Sequence, residues 1–198
     1  MHIHLASSSP RRHAILKALG VDFTAAGVDI DETRLQGEPV ADMVVRLATA
    51  KARTARATVD GSIPVIAADT AVALDKRVLG KPGSQDEAMD MLARLSGRAH
   101  TVLTGVALDY AGEIATATSV TEVRFREIGP DEAHRYWQSG EPRDKAGAYA
   151  VQGIGGIFVE GISGSYSGVV GLPVFETAEL LKNAGLNILR TELDSAHD

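Results

Sequence analysis

The sequence predicts an α/β or mixed α+β sheet protein, and three features of the chain support this class. Strand-like and helix-like apolar patterns alternate along most of its 198 residues. The run PVIAA at 64–68 is short and wholly apolar, as expected of a strand covered on both faces. Two long strand-like runs, 99–110 and 114–126, flank the sequence AGE. Together these patterns favour a sheet with helices packed against it.

The N-terminal segment is predicted to form a strand, a tight loop and the start of a helix. HIHLA at 2–6 alternates polar and apolar side chains, as a half-buried strand does. Ser-Pro at 9–10 is typical of a helix N-cap followed by the first helical residue, and Gly20 is placed to end that helix. Arg11 and Arg12 lie in its first turn, where the helix dipole disfavours cations. They are either ligands of an anion held at the helix N-terminus or solvated surface residues.

The later elements follow from the same patterns. They are a strand at 22–28, an acidic turn at 29–32, a helix beginning at Pro39, a hairpin turning near 75–76, a helix between the Ser84–Glu87 capping box and Gly97, a short helix at about 131–138, and a last helix between Pro173 and Gly185. The stretch 147–171 holds eight of the 20 glycines. We expect the polar end, 190–198, to be frayed.

Composition excludes several classes of protein. The chain has no cysteine, which excludes disulfides and thiolate chemistry. No apolar run approaches the roughly 20 residues that span a bilayer, and the first residues do not resemble a signal peptide. A net charge of −6 argues against general nucleic-acid binding. We therefore expect a soluble cytoplasmic protein in which any anion site is a local basic pocket.

Two charged residues stand at positions where apolar side chains are expected. Lys51 comes eleven residues after Val40, which returns it to within about 20° of the apolar face of its helix. It either extends to solvent or meets an anion. Asp69 directly follows the buried run 64–68, and α/β sheets form their ligand crevices outside the ends of such strands. This position favours a functional role for Asp69, as a metal ligand or a proton acceptor.

The charged residues together suit a polyphosphate ligand. Basic side chains come from several predicted elements: Arg11, Arg12, Lys51 and Lys81. Asp69 and Glu32 supply carboxylates that could hold a divalent cation. A triphosphate bound with Mg²⁺ fits this combination, because phosphoryl transfer depends on positioning and charge neutralisation. The sequence lacks a P-loop, a nucleophile elbow and an HExxH motif, so direct attack by water is the simplest mechanism.

Eight stretches, in order along about 3–190, resemble the Maf family of nucleoside triphosphate pyrophosphatases. They are LASSSPRR, VDIDE, VVRLATAKA, AADTAV, LGKP, LSGRAHTVLTGVAL, EPRDKAGAYAVQGIGGIFVEGISGSYSGVVGLP and ET. The resemblance implies one domain over 1–198, with an elongated mixed sheet flanked by helices and two lobes around a central cleft. This architecture is similar to the inosine-triphosphate pyrophosphatase fold.

The resemblance also implies an activity and a set of site residues. The reaction is hydrolysis of a nucleoside triphosphate to the monophosphate and pyrophosphate, with Mg²⁺ or Mn²⁺ as the divalent metal. Asp69 matches the proton acceptor of the family. Its specificity positions correspond to Arg11, Thr70 and Gln152. Its polar cleft corresponds to Ser7, Arg12, Glu32, Lys51 and Lys81, of which Ser7, Arg12, Lys51 and Lys81 are expected to bind phosphate and Glu32, with Asp69, the metal. AYAVQG is similar to the subgroup acting on dTTP and UTP, including modified pyrimidine nucleotides.

Other functions remain open from the sequence. One is a nucleotide-binding regulator of septum formation that binds without turnover. Another is a pyrophosphatase that prefers purine or 7-methylguanine nucleotides. Asp69 itself either deprotonates the attacking water or ligates the metal that activates it. The expected partner is the nucleotide alone, without nucleic acid or membrane, and a homodimer is the candidate assembly.

Overall fold

A computed structural model describes residues 1–189, which contain one seven-stranded mixed sheet. The predicted frayed end, 190–198, lies outside the described residues. The strands are β1 (His2–Leu5), β2 (Asp22–Ala25), β3 (Val65–Leu74), β4 (Arg77–Leu79), β5 (Ala99–Tyr110), β6 (Glu113–Phe125) and β7 (Val159–Ser163). The helices are α1 (Pro10–Ala18), α2 (Val40–Arg56), α3 (Gln85–Leu95), α4 (Pro130–Gln138), α5 (Tyr166–Val170) and α6 (Val174–Asn183). Within this part of the chain, no helix is long and apolar enough to cross a membrane.

The sheet is open on one side of its central strand, and this opening forms the cleft. Strand order is β2-β1-β3-β5-β6-β7, with β4 added to the far end of β3. The pairing of β3 with the parallel strand β1 stops at Ile66, and its pairing with the antiparallel strand β4 covers Val72 to Leu74. On its other side β3 pairs continuously with β5 from Val65 to Ala73. Among the described strands, none pairs with residues 67–71 of β3 on the edge that β1 and β4 share.

A hydrophobic core lies on each side of this opening. One joins α3 and α4 to the end of the sheet through Leu92, Phe125 and Phe158. The other joins β1, α1 and α6 through residues that include Ile3 and Leu181. The predicted mixed sheet with two lobes around a central cleft is therefore confirmed.

Helix α2 lies unusually close to the sheet beside the opening. A Cβ atom added to Gly105 of β5 would lie 2.5 Å from the carbonyl oxygen of Val44 in α2. Gly105 is also the strand partner of Asp69. The missing side chain at 105 therefore fixes how closely α2, and with it Lys51, approaches the strand that carries Asp69.

The turn chemistry at helix ends is mostly as predicted. Gly20 and Gly97 both adopt the left-handed conformation expected after a helix, with φ of +68° at each. Ser84 accepts a hydrogen bond from the amide of Glu87, although the Glu87 carboxylate accepts from Gly83 rather than from Ser84. Ser9 is the N-cap residue of α1 and Pro10 its first residue, as predicted, although the Ser9 side chain makes no capping hydrogen bond.

Two other predictions about the elements are corrected by the structure. The strand expected at 22–28 is shorter, Asp22–Ala25, because only those residues pair with β1. The glycine-rich stretch 147–171, in which no regular element was predicted, includes a 3₁₀ turn at Ile154–Phe158, β7 and α5. Glycines carry no apolar periodicity, so the pattern could not reveal these elements.

Candidate active site

All of the predicted site residues lie in the walls of one cleft of about 670 Å³. This volume falls within the range of small-molecule sites. The residues come from both lobes and from the open edge of β3. They are Ser7, Arg11, Arg12, Glu32, Lys51, Asp69, Thr70, Lys81 and Gln152. The convergence of distant stretches is a property of the fold, whereas the role of each residue stays a prediction.

Asp69 is placed differently from what the sequence suggested. The prediction that it follows the end of a strand is wrong, because β3 continues from Val65 to Leu74 and Asp69 lies in its middle. A crevice still forms at Asp69, since the neighbours of β3 stop on either side of it. The carboxylate is therefore held by a rigid strand and not by a loop.

Lys51 lies between two carboxylates. Its Nζ is 2.6 Å from Oδ1 of Asp69 and 2.6 Å from Oε1 of Glu32. The sequence left open whether Lys51 extends to solvent or meets an anion. The structure favours the second interpretation, because Lys51 contacts two carboxylates of the protein itself. The arrangement brings a charged trio from three separate segments to the open edge of the sheet.

The two carboxylates respond differently to the same lysine because their burial differs. Burial raises the pKa of Asp69 above its ordinary value, even though Lys51 and Arg12 oppose this change. The hydrogen bond from Lys51 lowers the pKa of Glu32. The side chain of Asp69 is 12% exposed and that of Glu32 is 59% exposed, which explains the opposite directions. Asp69 is thus the better proton acceptor of the pair.

Arg12 connects three parts of the cleft wall. Its Nε donates to the carbonyl of Gly171 at 2.7 Å, and its Nη atoms donate to Ser7 Oγ at 3.2 Å and Thr70 Oγ1 at 3.3 Å. These acceptors stabilise a cation in the first turn of α1, where the helix dipole disfavours it. Arg12 therefore holds the loop before α6 against α1 and β3.

The hydroxyl of Thr70 is already committed to neighbouring protein groups. Thr104 donates its hydroxyl hydrogen to the carbonyl of Gly168 at 2.8 Å. The 2.9 Å bond between the two threonine hydroxyls must then run from Thr70 to Thr104, while Arg12 donates to Thr70. Thr70 thus stabilises the cleft wall and has no hydrogen left to donate to a ligand. Thr104 lies in the matched stretch LSGRAHTVLTGVAL, and no local pattern distinguished it from its neighbours.

The opposite wall contains residues that the sequence analysis did not single out. Asp144 and Lys145 form an ion pair there. Lys145, and to a smaller extent Arg11, lowers the pKa of Asp144. Tyr149 lies on the same wall, and its hydroxyl is 2.8 Å from Nε2 of the buried His100. The matched stretch EPRDKAGAY was the only signal for these residues.

We expect His100 to make stability depend on pH. Burial lowers the pKa of His100 from 6.5 to about 4. Below pH 6.5 the histidine is protonated in the unfolded chain but stays neutral in the folded protein. The free energy of unfolding therefore decreases as the pH falls from 6.5 to about 4, by about 3 kcal/mol. His100→Gln should flatten the free energy of unfolding across this interval in denaturant titrations. The exposed His134→Gln is the matched control, and an unchanged slope in His100→Gln would contradict the assignment.

The fold and cleft define a class of protein, namely an α/β protein with a cationic cleft around a buried carboxylate. Residues 2–184 match the family model described as Maf-like protein. The chain therefore belongs to the Maf family, as its motifs implied. A relative in Hahella chejuensis, named dTTP/UTP pyrophosphatase, is 50% identical over 187 residues, covering 93% of this chain and 92% of that protein. A relative of the same name in Methylobacillus flagellatus is 48% identical over 191 residues, or 96% of both chains.

Solved structures resemble the fold more distantly. The Staphylococcus aureus Ham1 protein is 18% identical, with 63% of this chain and 72% of that chain covered. The TM-score of this match is 0.45.

Proposed function

We propose that this protein hydrolyses dTTP and UTP, together with modified pyrimidine nucleotides, to the nucleoside monophosphate and pyrophosphate. The observation that carries the proposal is the buried Asp69, paired with Lys51 in a cleft that also holds Arg11 and Lys81. The names of the relatives at 47–50% identity support the same substrates. A panel of nucleoside triphosphates with identification of both products tests it.

In the proposed reaction, water attacks the α-phosphorus. A bond forms between the water oxygen and phosphorus, the bond from phosphorus to the bridging oxygen breaks, and pyrophosphate leaves with that oxygen. Asp69 accepts the proton of the attacking water. Its raised pKa makes it a stronger base than an ordinary aspartate, provided that the pH keeps it ionised. Lys51, Arg11 and Lys81 stabilise the negative charge of the phosphates.

A divalent metal, Mg²⁺ or Mn²⁺, is part of this proposal, and Glu32 and Asp69 would hold it. In residues 1–189 no three carboxylate or histidine side chains are grouped to hold a metal ion by themselves. Lys51 contacts one oxygen of each carboxylate, Oδ1 of Asp69 and Oε1 of Glu32. The second oxygen of each suits a cation that takes one or two protein carboxylates and completes its shell with phosphates and water. When bound, the metal would neutralise phosphate charge.

Gln152 is proposed to select the base. Its amide presents a donor beside an acceptor, which matches the N3–H and O4 edge of uracil and thymine. Gln152→Leu should lower kcat/KM for dTTP and UTP, by a loss of transition-state stabilisation of about 1–3 kcal/mol per lost buried hydrogen bond. Hydrolysis of the poorest substrates should change little. Steady-state kinetics with dTTP, UTP, CTP and GTP measure this effect. Gln138→Leu, at the end of α4 outside the cleft, is the control. Equal losses with all four nucleotides would show that Gln152 only supports the cleft.

Two rival functions are separated by simple measurements. A regulator that binds nucleotides without turnover would release no pyrophosphate from dTTP. An enzyme that prefers purine or 7-methylguanine nucleotides would show that preference in the substrate panel. The cytoplasmic location and a homodimer stay predictions.

A further inference from the structure

The carboxylate of Glu141 is surrounded by hydrogen-bond donors from the loop that carries Gln152. Glu141 begins a 3₁₀ turn, Glu141–Asp144, after α4. Its Oε1 accepts from the Tyr136 hydroxyl at 2.7 Å and from the amide of Gly155 at 2.9 Å, and its Oε2 accepts from the amide of Ile154 at 2.9 Å. Burial opposes its charge, but these hydrogen bonds together hold the pKa of Glu141 below its ordinary value. The side chain is therefore an ionised acceptor at neutral pH.

Tyr136 holds the other end of the same loop. Its buried hydroxyl donates to Glu141 and accepts a hydrogen bond from the amide of Ala150 at 3.1 Å. Between these anchors, the amide of Gly153 donates to the carbonyl of Ala150 at 3.2 Å and closes a turn. Gln152 is the second central residue of that turn. The Tyr136–Glu141 pair thus fixes the backbone on both sides of Gln152.

The glycines of this loop make room for the pair. A Cβ atom at Gly153 would collide with Oε2 of Glu141, and one at Gly155 would collide with the Tyr136 hydroxyl. Both collisions involve the groups that anchor the loop. Gly153 and Gly155 are thereby explained by their close contact with Glu141 and Tyr136, without a phosphate ligand.

We propose that Glu141 is a positioning residue for base selection, which acts by fixing the turn that presents Gln152 to the cleft. The inference rests on the proposed function, in which Gln152 recognises the base. An amide can match uracil in one orientation and cytosine after a flip, so it discriminates only if its position is held. Glu141 and Tyr136 supply that restraint at the level of the backbone.

Glu141→Gln tests this role because it preserves size but points an amide N–H₂ toward groups that are themselves donors. We expect kcat/KM for dTTP and UTP to fall about tenfold, corresponding to one or two lost hydrogen bonds. The values for CTP and GTP should fall less, so that the selectivity ratio decreases. Tyr136→Phe should also decrease the selectivity ratio. If Glu141→Gln does not fold, Tyr136→Phe is the variant that tests the positioning role. Glu132 lies on α4, and its carboxylate is paired with Arg126. Glu132→Gln removes this carboxylate, and as the control it should leave the ratio unchanged.

The double variant separates positioning from general support. In a Gln152→Leu background, Glu141→Gln should change the ratio little, because the group that it positions is gone. The inference is overturned if Glu141→Gln lowers kcat/KM equally for all four nucleotides. It is also overturned if Gln152→Leu abolishes the selectivity and Glu141→Gln retains it. A wild-type enzyme without preference for dTTP and UTP would instead overturn the proposed function, and with it this inference.

Discussion

Asp69→Asn is expected to lose about 10²–10⁴ in kcat while the protein stays folded. The amide has nearly the same shape as the carboxylate but cannot accept the proton of the attacking water. Because burial raises the pKa of Asp69, its ionised form is disfavoured in the fold, so the stability that Asp69 contributes at low pH is lost as the pH rises. Removing the charge should therefore keep the unfolding midpoint at neutral pH or raise it. Lys51 retains Glu32 as a partner.

A matched aspartate separates catalysis from ion pairing in this test. Asp109, near the end of β5, accepts a hydrogen bond from Arg56 at 2.9 Å, and its side chain is 15% exposed. Asp109→Asn should lower stability and leave kcat close to that of the wild type, since Asp109 lies outside the cleft. Full activity of Asp69→Asn at saturating metal would remove Asp69 from the mechanism.

Gly105→Ala is expected to have the largest effect on stability. The new methyl group would lie 2.5 and 2.6 Å from the carbonyl oxygen and carbon of Val44, and 2.8 Å from the amide nitrogen of Val45. These are backbone atoms that cannot rotate away, so α2 has to move. Overpacking of this kind costs about 1–3 kcal/mol or more. For a chain of this size, each 1 kcal/mol lowers the unfolding midpoint by about 2–4 °C.

Movement of α2 should also reach the chemistry, because α2 carries Lys51 toward Asp69. With Lys51 farther away, burial would act on Asp69 with less opposition, and the acid limb of the kcat/KM profile should shift to higher pH. Gly161→Ala, at a glycine of β7 with no heavy atom near its added Cβ, is the control. A Gly105→Ala protein with wild-type stability and pH profile would show that α2 does not rest on Gly105.

Local patterns predicted the elements whose side chains repeat regularly. The strand at 99–110 was predicted with its observed ends, and helix α3 with its serine cap. The residues expected at the site also converge on one cleft. For those identified from the residues alone, such as Lys51 and Asp69, the signal was a charge at an apolar position.

What the sequence could not provide are properties of tertiary pairing. The apolar run 64–68 predicts a strand that ends before Asp69, but strand pairing with β5 continues past it. The carbonyl of Gly171, which accepts from Arg12, and the hydroxyl of Thr104, which accepts from Thr70, lie far away along the chain, so no local pattern contains them. The anchoring of Gln152 by Glu141 is similarly invisible, since it depends on backbone amides that any residue carries.

The hydrogen bond from Arg12 to the carbonyl of Gly171 joins residues 159 positions apart. Contacts of such separation form slowly in folding, because a long loop must be closed before they contribute any stability. During synthesis, the first strand and helix leave the ribosome long before the chain that completes their wall. The cleft therefore cannot be completed until residue 171 has been translated, and a nascent or truncated chain lacking that residue lacks this link across the cleft wall.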